Sequence, residues 1–158
     1  MEPIEVFGVE HIDVTVNDLK KSAAFYNTVM PALGFRRLIE DDGDDIRWGN
    51  AHMTFAIRLA KESERGTVFN RYRVGLHHLA FKASSRESID EFYRFSIEEN
   101  LPVLDAPREY PQYGPNYYAV FFADPDGMKL ELVHFPWGFW RIAQRDGADP
   151  RPRHAVKK

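Results

Sequence analysis

The chain contains no cysteine. That excludes disulfides, thiolate nucleophiles and zinc sites built from cysteine. No stretch approaches the roughly 20 consecutive apolar residues of a membrane-spanning helix. No basic segment followed by an apolar one opens the sequence in the manner of a secretory leader. Charge of neither sign is in large excess: 21 Lys and Arg against 24 Asp and Glu leave a net charge of −3. Nothing in that balance draws the chain toward nucleic acid or an anionic membrane. From these absences the expected location is the cytoplasm. Aromatic residues, by contrast, are plentiful: 12 Phe, 7 Tyr and 3 Trp make up 14% of the 158 residues. A 44% hydrophobic share at this length suits one ordinary core. The aromatic surplus suits either dense packing or a cavity for organic ligands.

A repeat organises the sequence. His11-Ile12-Asp13-Val14-Thr15-Val16 is followed by a helical stretch carrying Phe25-Tyr26. His78-Leu79-Ala80-Phe81-Lys82-Ala83 is followed by one carrying Phe92-Tyr93. His11 and His78, Phe25 and Phe92, and Tyr26 and Tyr93 are each separated by 67 residues. A half-chain repeat of this kind predicts a fold with two-fold pseudosymmetry.

The pattern within each copy predicts its elements. Residues 9–16 alternate as a strand, with Ile12, Val14 and Val16 on one face and His11, Asp13 and Thr15 on the other. Asn17 or Asp18 caps a helix whose apolar stripe is Leu19, Ala23, Tyr26, Met30 and Leu33, and Gly34 ends it. Phe35 to Ile39 reads as a strand, Asp41 to Asp45 as a solvated turn without calcium-loop spacing, and Ile46 to Trp48 as a short strand. Residues 52–59 alternate again, with Met53, Phe55, Ile57 and Leu59 apolar. Lys61 to Arg73 is a charged connection. The second copy predicts a strand over 76–83, a helix over about 85–100 capped by Ser84 or Ser85, and a short strand near Val103. Ala106 to Pro115, with three prolines, reads as an insertion forming a rim or lid. Tyr118–Phe122 and Met128–Phe135 form a hairpin around Asp124-Pro125-Asp126-Gly127. Each half therefore reads strand–helix–strand–strand–strand. The expected class is α+β: two tandem βαβββ modules, about 5–60 and 74–135, each a mixed sheet backed by one helix. Residues 1–140 form a single domain in this reading, and 141–158 a loose tail.

Strand alternation turns His11, His78 and Glu131 to the face away from the helices. Two imidazoles and a carboxylate with open positions suit one divalent ion such as Fe, Mn, Ni or Zn. His52 shares that face and is a reserve ligand. His77 is expected to point the opposite way from His78, and His134 lies on the other face from Glu131. Tyr110, Tyr113, Tyr117 and Tyr118 cluster around the insertion, either as rim packing or as a wall against an aromatic substrate. Tyr113, Tyr118, Phe121 and Arg58 are the substrate-binding candidates. The aromatic segment Trp137 to Trp140 suits cover against a neighbouring subunit, and a homodimer is expected.

Val9-Glu10-His11-Ile12, Ser22-Ala23-Ala24-Phe25-Tyr26, Leu33-Gly34-Phe35, Leu76-His77-His78-Leu79-Ala80-Phe81 and Phe122 to Leu132 with its Asp-Pro-Asp-Gly turn together resemble the vicinal oxygen chelate superfamily. That superfamily includes glyoxalases, fosfomycin- and bleomycin-resistance proteins and extradiol dioxygenases. The resemblance implies a cup-shaped mixed sheet with helices outside and a metal at its floor, chelated by vicinal oxygens of a small substrate. By position it assigns His11, His78 and Glu131 as metal ligands. The metal's role would be that of a Lewis acid toward developing oxygen charge.

Two departures bear on the reaction. Glyoxalase-type members resemble this pattern but carry a Glu on the last strand of the first module, where the facing residues here are Thr54 and Ala56. Asp13, beside His11, is the candidate base in its place. Dioxygenase and fosfomycin-type members carry a Tyr ten residues before the ligand Glu, where this chain has Phe121. The expected function is a metal-dependent enzyme on a small oxygenated molecule, dioxygenase-like or glyoxalase-like (lyase or isomerase). The alternative is a metal-free protein that sequesters a drug or metabolite, as bleomycin-resistance proteins do.

Overall fold

Alternating side chains place His11–Val16 in the first strand, β1, and Asp18 caps the helix that follows by accepting the Lys21 N–H at 2.9 Å. The computed structural model describes residues 4, 6, 8–38 and 45–136. The expected acidic turn at 41–45, all but its last residue, the end of the strand expected to Ile39, the Trp137–Trp140 segment and the 141–158 tail lie outside these. After β1 come α1 (Leu19–Ala32), β2 (Arg36–Arg37), β3 (Asp45–Gly49) and β4 (Thr54–Leu59). The second half runs β5 (Leu79–Lys82), α2 (Arg86–Glu98), β6 (Val103–Glu109), β7 (Tyr118–Ala123) and β8 (Lys129–His134).

Each half forms its own four-stranded mixed sheet with the same topology. The orders are β1-β4-β3-β2 and β5-β8-β7-β6. The repeat's opening strand pairs parallel with the last strand of its module in both cases: His11 opposite Thr54, and Ala80 opposite Glu131. The remaining pairings are antiparallel. The chain is thus an α+β fold of two βαβββ modules.

The helix-covered faces of both sheets contribute to one core. Tyr26, Val29 and Met30 of α1 and Ile89 of α2 are fully buried in it, together with Trp48, Phe55, Ile57, Val120, Phe122 and Leu130 of the strands. Phe81 of β5 joins the modules: its ring lies 5.9 Å from Phe35 and 6.3 Å from Phe55, edge-on. Burial of each such ring stabilises the fold by about 1.5–3 kcal/mol. The opposite faces, which carry His11 on one sheet and His78 and Glu131 on the other, turn away from that core.

Several local expectations shift. The buried face of α1 centres on Ser22, Phe25, Tyr26, Val29 and Met30, with Leu19, Ala23 and Leu33 only partly buried. The apolar stripe and the sheet-facing stripe share Tyr26 and Met30 but are rotated against each other. The segment from Ala106 is not wholly an insertion, because β6 continues through Pro107 to Glu109. It is the edge strand, with register shifts between Val103 and Asp105 and between Asp105 and Arg108. An edge with bulges accommodates a proline that lacks an N–H.

A polar clasp fixes the modules against one another. The Asp124-Pro125-Asp126-Gly127 turn uses Gly127 at φ 84°. Asp124 Oδ1 accepts the N–H groups of Asp126 and Met128 at 2.9 and 2.8 Å. From the other module, Tyr26 donates its hydroxyl to Asp124 Oδ2 at 3.0 Å in a buried setting. Burial and the two aspartates push the Tyr26 hydroxyl pKa well up, and burial raises that of Asp124, so the shared proton stays on the tyrosine.

Candidate metal and substrate site

Glu131 occupies the middle of β8, on the face away from α2, and is only 1% exposed. A carboxylate so deeply buried requires partners. It has two: Tyr117 donates its hydroxyl to Oε1 at 2.7 Å, and His78 Nε2 lies 3.0 Å from Oε2. β5 runs parallel to β8, which is why His78, just before Leu79, arrives beside Glu131. Burial and the Glu131 carboxylate push the Tyr117 hydroxyl pKa up, so it remains a donor at neutral pH.

Tyr117 was not among the sequence-derived binding residues. Its signal was available: it shares strand parity with Phe121, whereas Tyr118 does not. The structure accordingly puts Tyr118 on the helix side, donating to Asp90 of α2 at 2.7 Å with the Arg86 guanidinium over its ring at 5.1 Å. The bond to Asp90 raises its pKa to about 12.

His77 departs from expectation. Its Nδ1 lies 2.7 Å from Nδ1 of His78, and the two rings are 5.0 Å apart. Both histidines precede the first residue of β5, so the alternation of a strand does not set their directions.

An aromatic wall stands over the Glu131 face. Phe121 packs edge-on to His78 at 6.5 Å and to Tyr110 at 5.2 Å. Tyr113 stacks on Tyr110 at 5.9 Å and meets Tyr117 at 5.3 Å, and Tyr117 leans on Phe135 at 5.3 Å. Gly114 lies beneath this wall: a Cβ there would meet the Phe135 ring at 3.0 Å, at a φ of 145°. Lys129 Nζ caps the Phe121 ring at 3.5 Å. Partial burial and Arg71 nearby lower the Lys129 pKa.

The first module's equivalent face carries a different arrangement. His11 is exposed and contacts Glu10. Arg58 donates to Asp13 Oδ2 at 2.8 Å and pairs with Asp45 at 2.9 Å, and Asp45 also holds Arg47 at 2.7 Å. Asp13 and Arg58 are therefore each other's partners on this face. His52 lies in the turn before β4, exposed, its N–H bonded to Asn50. Among the described residues no three His, Asp or Glu side chains are grouped so as to hold a metal ion. One chain brings together His78 and Glu131, and leaves His11 and His52 elsewhere.

Proteins similar to this chain are known. The chain is 34% identical to YqjT of Bacillus subtilis, a protein of uncharacterised function, over 79% of this chain and 97% of that one. It is 26% identical to the metallothiol transferase FosB of Staphylococcus saprophyticus, over 79% of this chain and 75% of that one. A candidate glyoxalase of Bacillus halodurans has the same fold, with a TM-score of 0.69, 30% identity, and coverage of 80% of this chain and 95% of that one. Residues 8–132, both modules of the repeat, match the sequence pattern of one family. The chain belongs to the Glyoxalase/Bleomycin resistance protein/Dioxygenase superfamily, the vicinal oxygen chelate group.

Proposed function

We propose that this protein is a divalent-metal-dependent enzyme that binds a small oxygenated substrate through two adjacent oxygens. The observation that carries the reading is Glu131: a buried carboxylate on the site face, one oxygen held by Tyr117 and the other directed at the His78 imidazole. An imidazole nitrogen and a carboxylate oxygen 3.0 Å apart are a donor pair suited to Fe, Mn, Ni or Zn. The similarity to a metallothiol transferase supports metal dependence.

His78 and Glu131 would hold the ion, with His11 as the third ligand. His11 sits on the other sheet, and both site faces turn away from the shared core. His11 of a second copy therefore completes the set in a homodimer. The bound metal would supply Lewis acidity toward the substrate oxygens. The protein's own groups do the rest. Tyr117 fixes the carboxylate's orientation, in the place of the tyrosine that Phe121 lacks. Phe121, Tyr113 and Tyr110 wall off water and present flat apolar surface. Asp13 acts as a base only when its pairing with Arg58 opens.

The reaction belongs to the dioxygenase-like or glyoxalase-like (lyase or isomerase) range of the superfamily, and metal identity divides these. The test is the metal content of protein purified without chelator, beside the His78→Ala/Glu131→Ala variant. About one equivalent of transition metal per chain, lost in the variant, is expected. Iron would direct assays to catechols and oxygen; nickel, zinc or manganese would direct them to glyoxalase-type and thiol-transfer substrates. Wild type that takes up no metal on reconstitution would overturn the reading in favour of a metal-free sequestering protein.

A further inference from the structure

Three cations line a single cleft whose wall contains no carboxylate. A cavity of about 650 Å³ lies between the inter-module segment and the start of β8. Arg71, Arg73 and Lys129 line it, with Thr67, Asn70 and Tyr72 as polar neighbours; no acidic side chain is in the lining, and the Glu131 and Asp105 carboxylates act on Lys129 from beside it. Arg47, Arg58, Arg86 and Arg108, by contrast, each pair with an aspartate or glutamate. The lining of this cleft supplies no such acid, in a molecule whose net charge is −3.

The local geometry holds these cations in place. Asn70 closes a turn, its carbonyl accepting the Arg73 N–H at 3.0 Å and its Oδ1 the Tyr72 N–H at 3.0 Å. Arg71 lies 4.9 Å over the Tyr72 ring and donates to the Tyr72 hydroxyl at 2.7 Å. The Lys129 ammonium rests on Phe121, whose ring also faces His78. Aromatic faces offset part of the repulsion among like charges. A guanidinium pair with an ammonium is matched by an oxyanion, which accepts several charge-assisted hydrogen bonds at once.

We propose that this cleft binds the anionic group, phosphoryl or carboxylate, of the substrate whose oxygens reach the His78–Glu131 centre. The inference rests on the proposed function for its second half. Lys129 and Glu131 are two residues apart on one strand, so they share a face at a spacing of about 7 Å. The substrate class that follows is a small organic acid or phosphate ester with its oxygenated carbons one to three bonds from the anionic group.

The test is calorimetric titration of metal-free protein with inorganic phosphate and with malonate, at constant ionic strength set by chloride. Saturable binding is expected for one or both, retained in His78→Ala/Glu131→Ala and weakened at least tenfold in Arg71→Gln/Lys129→Gln. Metal uptake by the latter variant should equal that of wild type. Absence of saturable binding beyond the chloride background overturns the anion site. So does unchanged affinity in Arg71→Gln/Lys129→Gln. Should that variant fail to fold by circular dichroism, Arg71→Gln and Arg73→Gln singly must each weaken binding at least threefold, or the site is refuted. Loss of metal from His78→Ala/Glu131→Ala reports on the proposed function alone, so the two readings fail separately.

Discussion

Asn17 and Asp126, 109 residues apart, are joined by two hydrogen bonds. The Asn17 backbone N–H donates to Oδ2 at 2.9 Å, and its side-chain amide donates to Oδ1 at 3.0 Å. The same amide donates to the Thr67 carbonyl at 2.9 Å, and its oxygen accepts the Gly66 N–H at 2.7 Å. One side chain thus ties the end of β1, the inter-module segment and the β7–β8 turn. Beside it, Asp124 takes the Tyr26 hydroxyl. The Asp-Pro-Asp-Gly motif serves to dock one module on the other, at a distance from Glu131 along β8.

Asn17→Ala should therefore destabilise the fold by about 1–3 kcal/mol, the sum expected for loss of a few partly exposed hydrogen bonds. Urea denaturation checks this as a lowered midpoint. A value within 0.3 kcal/mol of wild type (roughly the noise of such additivity comparisons) would mean that the hydrophobic contact through Phe81 holds the modules unaided.

Asp124 gives a pH dependence of defined sign. Its folded-state pKa is raised, chiefly by burial. A raised value means that its contribution is fully present below the unfolded pKa and is lost as pH rises through the folded one. Asp124→Asn lacks this titration and keeps an amide able to meet Tyr26 and the turn N–H groups. The stability of wild type relative to Asp124→Asn should fall as pH is raised from about 3.9, the ordinary aspartate value, and then level off. Unfolding measured across that range checks it; a difference that grows with pH would contradict the assignment.

Tyr117→Phe removes one hydroxyl from Glu131 and leaves the ring against Tyr113 and Phe135. The fold should persist, with a loss of about 1.5–3 kcal/mol for a hydrogen bond to a charged group. Metal affinity should weaken by about 10–100-fold, the usual effect of removing a partner that orients a ligand. A competition titration with a chelating dye measures it. Affinity equal to wild type would confine Tyr117 to wall packing.

Mixed dimers test where His11 acts. Differently tagged His11→Ala and Glu131→Ala chains, co-expressed and purified through both tags, should bind metal at one of the two sites. In such a dimer one centre keeps His11 from one chain and His78 with Glu131 from the other. No metal in the mixed dimer, with full occupancy in wild type, would place all three ligands within one chain.

Much of this was legible in the residues. The 67-residue repeat pointed to two modules, and strand parity turned Glu131 away from α2, because alternation and turn chemistry are local rules. Where those rules stop, reading from residues stops as well. His77 and His78 both lie before β5 begins, so parity does not set their directions, and the two imidazoles meet. Pro107 resembled loop until β6 proved to be an edge strand, a property of sheet order rather than of sequence. Tyr117, which shares parity with Phe121, reaches Glu131, and Tyr118, which does not, reaches Asp90. Only the tertiary structure decided that the helix-covered faces of both sheets share one core, that His11 stands apart from His78 and Glu131, and that Arg71, Arg73 and Lys129 meet in one cleft. Those are relations between elements far apart in the chain. They follow from which apolar surfaces bury against each other, which no local pattern specifies.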